Sequence, residues 1–258
     1  MKLNAKDVKG GFFKCANIVL DEAITAVFPI IQIQNESYKF FATGFFISAA
    51  GMFCTAKHVI CDPNTSEPYQ NLYAVYFHEG NQCYFRAIKS VINTSKTDIC
   101  IGIIEDIRWK SNDQMVKNKV MNISTKGIEN GDFVATYAYP KSSEIKREEG
   151  KWILDFNTSW HFGNVTQEFP NGRDSYMLPG HCYETNMKIL GGASGAPVAN
   201  EAGQIIGVNS TSFDFNDDGP NVSYISPISE IFEMKVVVEG KTYTILELAE
   251  KNLISIIK

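Results

Sequence analysis

No apolar run in this 258-residue sequence approaches the roughly 18 residues that would span a bilayer. The opening stretch Met1-Lys2-Leu3-Asn4-Ala5-Lys6-Asp7 is followed by no apolar core of signal-peptide length, so a cytoplasmic location is expected, with no membrane partner. Lysine and arginine form no stripe, and the net charge is −5, which argues against a nucleic-acid partner. No Cys-x-x-Cys pair suggests zinc, and neither a metal nor an organic cofactor is expected. Repeats of the solenoid kind and low-complexity stretches are absent too.

What is present describes an ordinary globular chain, with 44% hydrophobic and 21% charged residues. Its six cysteines are Cys15, Cys54, Cys61, Cys83, Cys100 and Cys182. A chain this long buries a core without staples, and several of these residues sit inside apolar runs, as in Ile99-Cys100-Ile101. They read as free thiols, and no Cys54–Cys61 disulfide is expected.

Short runs rich in aromatic and β-branched residues dominate the rest. Strands are expected at 27–34, 39–48, 51–56, 71–78, 83–92, 98–104, 132–138, 151–156, 161–168, 197–200, 204–210 and 222–226. Turn residues separate them, as in Glu79-Gly80-Asn81, Asn130-Gly131-Asp132 and Glu201-Ala202-Gly203. Many short strands with little helix between them indicate an all-β barrel or sandwich. The polar stretch 105–130 suits a connection between two halves. Helices are expected at 15–26 and 227–234. The end of the chain reads as a hairpin about Glu239-Gly240 and then an amphipathic helix from Leu246 to Ile257. Its apolar face, with Leu248, Ala249, Leu253 and Ile254, packs either on the second half of the molecule or on a regulatory partner protein.

The sharpest local feature is Gly191-Gly192-Ala193-Ser194-Gly195-Ala196-Pro197-Val198. A serine among glycines lets backbone N–H groups approach a substrate carbonyl. The G-x-S-x-G elbow of α/β-hydrolases is one reading, but that fold needs a histidine after the serine. The four histidines are His58, His78, His161 and His181, and none follows Ser194. The order His, Asp, Ser remains. His58 stands just past the apolar strand Met52-Phe53-Cys54-Thr55, where a polar side chain projects into a cleft. His78 precedes a turn and suits a surface hairpin, whereas His161 and His181 have aromatic neighbours and read as packing or pocket-lining residues. Asp98 opens the apolar run Ile99-Cys100-Ile101-Gly102-Ile103-Ile104, where burial of a carboxylate calls for a partner such as an imidazole N–H.

At three blocks the sequence resembles the trypsin-like, chymotrypsin-fold peptidases. They are Thr43-Gly44-Phe45-Phe46-Ile47 with Thr55-Ala56-Lys57-His58-Val59, then Thr97-Asp98-Ile99-Cys100-Ile101, then Gly192-Ala193-Ser194-Gly195-Ala196-Pro197. The nearest flavour is the bacterial Deg-type and glutamyl-endopeptidase-like branch. The resemblance implies two six-stranded antiparallel β-barrels, a C-terminal helix and a hairpin-helix tail. It divides the chain into an extension 1–24, a first barrel 25–120, a second barrel 121–234 and a tail 235–258. It also implies a serine endopeptidase with Ser194 as nucleophile, His58 as base, Asp98 as orienting acid, and Gly192 and Ser194 N–H groups as oxyanion hole. Lys188, Ile189 and Leu190 would shape a pocket opposite Thr211 and Ser212, and the segment Asn209-Ser210-Thr211-Ser212 would pair with a protein or peptide substrate as an added strand. Lys188 would attract an acidic side chain or point to solvent. Ala193 before the serine excludes the acid–amino-terminus ion pair of zymogen maturation, and Asn209 stands where glutamyl endopeptidases carry a histidine. Asp214-Phe215-Asn216-Asp217-Asp218-Gly219 has the opening of a calcium loop but Ile225 at the twelfth place, so a solvated hairpin tip is expected. The competing class is a catalytically inactive protease fold used as a binding module.

Overall fold

The computed structural model describes residues 13–16, 25–34, 37–78, 82–93, 96–108, 112–139, 145–148, 151–156, 158–175, 177–213 and 221–257. The calcium-like segment 214–219 and the turn 79–81 after His78 lie outside the described residues.

The first strand is β1 (Phe13–Ala16). Six strands then close the first barrel: β2 (Val27–Gln34), β3 (Ser37–Phe46), β4 (Met52–Thr55), β5 (Leu72–His78), β6 (Gln82–Asn93) and β7 (Cys100–Ile104), with the four-residue helix α1 (Lys57–Ile60) after β4. The order β6-β5-β2-β3-β4-β7 returns to β6, and every pairing is antiparallel. β2 alternates strictly between two buried clusters, Val27, Ile31 and Ile33 on one side and Phe28 and Ile30 on the other. A strand buried on both faces reads as a nearly continuous apolar run, and that made it legible.

β8 (Ile123–Ser124) follows, and then the second barrel: β9 (Phe133–Ala138), β12 (Ser159–Phe169), β13 (Cys182–Thr185), β14 (Pro197–Ala199), β15 (Ile205–Phe213) and β16 (Val222–Pro227). It closes in the order β9-β12-β13-β16-β15-β14 and back to β9, antiparallel throughout. The two closed barrels are the all-β architecture that the resemblance implied. β13 escaped the sequence reading because polar Glu184 interrupts a run of four residues.

Three expectations need correction. Residues 13–16 are strand, not helix: β1 pairs antiparallel with β6 and parallel with β11 (Lys151–Asp155), so the open edge of β6 decides their conformation. Of the expected helix 15–26, residues 17–24 lie outside the described ones, and Thr25 and Ala26 form a helical turn just before β2. The hairpin of β10 (Ile145–Glu148) and β11 falls in the second barrel's stretch of sequence but adds to the first barrel's sheet, so sheet membership crosses the expected boundary. The expected helix 246–257 is only α2 (Ile245–Glu250). Asn252 takes a φ of 58°, and Leu253 N–H bonds the Leu248 carbonyl at 3.0 Å while Asn252 N–H bonds that of Ala249 at 2.9 Å. This is a left-handed helix stop, in which the chain turns out of the helix.

The helix expected at 227–234 is a short 3-10 turn, Ile228–Ile231. The hairpin of β17 (Lys235–Val238) and β18 (Lys241–Thr244) forms as expected, with Glu239 at φ 51° and Gly240 at φ 76°, the two positive values a tight hairpin turn requires. β19 (Ile256–Ile257) ends the chain as a parallel neighbour of β8, which in turn pairs with β15. Val236, Ile245, Leu248 and Ile254 belong to the large buried cluster that also holds Phe45, Tyr139 and Val208. The tail's apolar face, Leu253 excepted, is thus packed within the molecule.

Candidate active site

Asp98 lies in the bend just before β7, and its carboxylate is 10% exposed. It accepts from His58 at two places. The backbone N–H of His58 reaches Oδ1 at 2.9 Å, and the ring Nδ1 reaches Oδ2 at 2.8 Å. The first contact caps α1, whose own N-cap residue Ala56 supplies no side-chain bond. Backbone and ring contacts together fix the imidazole's position and the tautomer with hydrogen on Nδ1, which leaves Nε2 as acceptor. The Ser210 hydroxyl also donates to Oδ2 and is the third donor to this carboxylate. The His58 side chain stays 45% exposed. Burial draws its pKa down, but the Asp98 charge and hydrogen bond outweigh this and leave it above 6.5.

Ser194 is the second residue of the later of two consecutive β-turns that share Ala193. The first runs from Leu190 to Ala193 (N–H to carbonyl 3.2 Å) with Gly192 at φ 96°, and the second from Ala193 to Ala196 (3.1 Å) with Gly195 at φ 85°. Each glycine occupies the third position, where positive φ is required. A Cβ on Gly195 would stand 2.1 Å from Thr55 Oγ1 and 2.2 Å from the Thr43 carbonyl oxygen, so this position demands glycine twice over. The loop is stitched to both barrels. Gly195 N–H donates to the Asn209 carbonyl at 2.7 Å, Asn209 N–H to the Ala196 carbonyl at 3.0 Å, and Thr43 N–H to the Ser194 carbonyl at 2.9 Å. Among the described residues, neither Gly192 nor Ser194 donates its N–H to a backbone carbonyl. Gly195 packs against Ala56, two residues before His58, so the serine loop and the histidine share one wall.

A shallow groove beside this loop is lined by Met187, Lys188, Ile189, Leu190, Ser212, Phe213, Asn221 and Val222. Lys188 is exposed there, Ile189 and Leu190 half-buried. The Ser212 hydroxyl donates to the Ile189 carbonyl at 3.0 Å and ties the two walls together. Thr211 pairs with Tyr224 of β16 and is half-buried. His161 bonds Ser159 at 2.7 Å and also the Lys188 backbone, so it braces the groove wall. Burial lowers its pKa more than that backbone contact raises it. His181 instead meets Glu168 at 3.0 Å and the Tyr183 ring.

Two of the expected substrate-binding residues do not face the cleft. Asn209 and Ser210 are each 1% exposed. Asn209 turns inward to the Thr136 hydroxyl at 2.9 Å, and both its backbone groups are taken by the serine loop. Ser210 belongs with Asp98. The signal for both was present, since polar residues directly after Ile205-Ile206-Gly207-Val208 must find partners inside. Thr43 was legible only as part of a motif. Its bonds to residues about 150 positions away have no local trace.

Two closed antiparallel barrels with an Asp–His pair on one and a glycine-framed serine on the other define a protein of the chymotrypsin-like class. A family model for the trypsin-like peptidase domain matches residues 42–208, and the chain belongs to that family. Solved structures agree on the fold. The chain is similar to the Mycobacterium tuberculosis H37Rv protein Rv3671c in an inactive serine-to-alanine mutant form, with 17% identity over 81% of this chain and 84% of the other and a TM-score of 0.51. It is similar as well to the Rv3671c protease in its inactive form, with 16% identity, 88% and 89% covered and a TM-score of 0.53. No curated protein matches the chain.

Proposed function

We propose that this peptidase is a serine endopeptidase acting through an acyl-enzyme. Ser194 attacks a peptide carbonyl while His58 Nε2 takes the hydroxyl proton and passes it to the leaving amine. Water then adds to the ester by the same route in reverse. Asp98 orients the imidazole and stabilises its charged form without itself taking the proton. The N–H groups of Gly192 and Ser194 receive the oxyanion, each such donor contributing about 3–4 kcal/mol to the transition state. An extended substrate would run beside Thr211 and Ser212 and place a side chain in the groove under Lys188, whose ammonium favours an acidic residue there. Neither metal nor cofactor takes part in this scheme.

The observation that supports the reading is the 2.8 Å contact of Asp98 with His58 Nδ1, which leaves the other ring nitrogen to act as base. A serine-directed fluorophosphonate probe tests it. Wild type is expected to be labelled and to cut an unfolded protein, whereas Ser194→Ala loses labelling and on the order of 10⁴-fold in turnover. An unlabelled wild type would favour the inactive binding module.

A further inference from the structure

The two N–H groups proposed to hold the oxyanion are aimed by peptide planes, and the planes around Ser194 alternate. Those of Gly191–Gly192 and Ala193–Ser194 carry the N–H groups left for substrate. The other two planes are tied at both ends. In Gly192–Ala193, the carbonyl accepts from the Thr43 hydroxyl at 3.0 Å and the N–H donates to the Leu190 carbonyl at 3.2 Å. In Ser194–Gly195, the carbonyl accepts from Thr43 N–H at 2.9 Å and the N–H donates to the Asn209 carbonyl at 2.7 Å. One residue of the first barrel therefore holds the carbonyl end of both tied planes in the second.

Thr43 is itself held on every side. It is wholly buried, its hydroxyl accepts from Tyr139 N–H at 3.2 Å, and its carbonyl accepts from the Thr55 hydroxyl at 2.8 Å. The single hydroxyl hydrogen thus goes to Gly192, and the oxygen's acceptor side is occupied by Tyr139. The Gly192–Ala193 plane needs such a tie, because Gly192 on its N-terminal side has no Cβ and lets it rotate cheaply. Rotation there would free Ala193 from Leu190 and swing the neighbouring N–H groups off the oxyanion.

We infer that Thr43 is a positioning residue for the oxyanion hole, holding it across the barrel interface through its side-chain hydroxyl. This rests on the serine-peptidase reading above. The test compares Thr43→Ser, which keeps the hydroxyl, with Thr43→Ala and Thr43→Val, which lack it. Five quantities are measured: kcat and KM on a peptide substrate, melting temperature, affinity for a peptide aldehyde, and affinity for the matching product peptide. The aldehyde's adduct with Ser194 places an oxyanion in the hole, and the product does not.

Thr43→Ser should keep kcat within about threefold of wild type, while Thr43→Ala and Thr43→Val lose about 10- to 100-fold in kcat with KM little changed. Aldehyde affinity should fall in step with kcat and product affinity should hold. The inference is overturned if Thr43→Ala turns over as fast as Thr43→Ser, if the loss lies in KM, or if both affinities fall together. Should Thr43→Val fail to fold, the Ser and Ala pair carries the test. A wild type that neither cuts nor takes the fluorophosphonate overturns the serine-peptidase reading. A wild type that does both, with hydroxyl-free variants equally fast, overturns only the role of Thr43.

Discussion

At the scale of single residues, Asp98 is the pivot, because three donors converge on one carboxylate. The proposed mechanism needs neutral His58, whose pKa stands above 6.5 through the Asp98 charge and hydrogen bond acting against burial. The acid limb of kcat/KM should therefore have its midpoint above 6.5 and fall away below it. The same shift bears on stability with the opposite sense. A raised histidine pKa adds stability below the ordinary imidazole value, and that contribution fades as pH rises through the raised one. Asp98→Asn should cost on the order of 10⁴-fold in turnover, since the amide holds the wrong tautomer. It should also move the acid limb downward. A pH–rate profile of the variant checks both, and an unmoved limb would mean that another acid holds His58. Ser210→Ala removes one donor to a charged acceptor and should cost about tenfold or more in kcat.

At the scale of elements, the serine loop depends on its two turns. Gly195→Ala would force a Cβ onto Thr55 Oγ1 and the Thr43 carbonyl at a backbone angle foreign to alanine. The expected result is a folded second barrel with a displaced loop and loss of fluorophosphonate labelling. Circular dichroism alongside the labelling assay checks it, and a labelled Gly195→Ala protein would show that the loop tolerates the shift. The turn pattern was legible because glycine at the third position of a turn is a local requirement. α2 was legible at its start but not at its end. Thr244 and Glu247 form a reciprocal cap, with Glu247 N–H on Thr244 Oγ1 at 3.1 Å and Thr244 N–H on Glu247 Oε2 at 2.7 Å. The apolar spacing continues past Glu250, yet the chain leaves the helix at Asn252 because β19 gains backbone pairing with β8.

At the scale of the whole molecule, the tail completes the core. Leu248 is 1% exposed, and Leu248→Ala should cost about 2–5 kcal/mol in chemical denaturation. Deleting 241–258 should lower the melting temperature of the whole protein. A truncated protein with unchanged melting that still cuts an unfolded substrate but loses its native target would instead support a partner bound through the tail. Val237 and Leu253 are the large apolar side chains the tail leaves exposed for such a contact. Cys54, Cys61, Cys83, Cys100 and Cys182 are buried free thiols, with burial pushing Cys182 up to about 11. Thiol reagents should leave them largely unreacted in the native protein and modify them on unfolding, which titration with and without denaturant reads directly.

By itself, the sequence determined the barrel strands other than β13, the glycine frame of Ser194 and the order of His58, Asp98 and Ser194. Each of these rests on residue type and short spacing: alternation along a strand, positive φ at a turn, a polar group at the end of an apolar run. Only the tertiary structure decided that Ser210 serves Asp98, that Asn209 faces inward, that Thr43 reaches Gly192, and that β1 and β19 are strands. These depend on which backbone edge or buried acceptor lies opposite, and barrel closure brings those partners together from positions as far as about 150 residues apart. No periodicity along the chain records such a pairing.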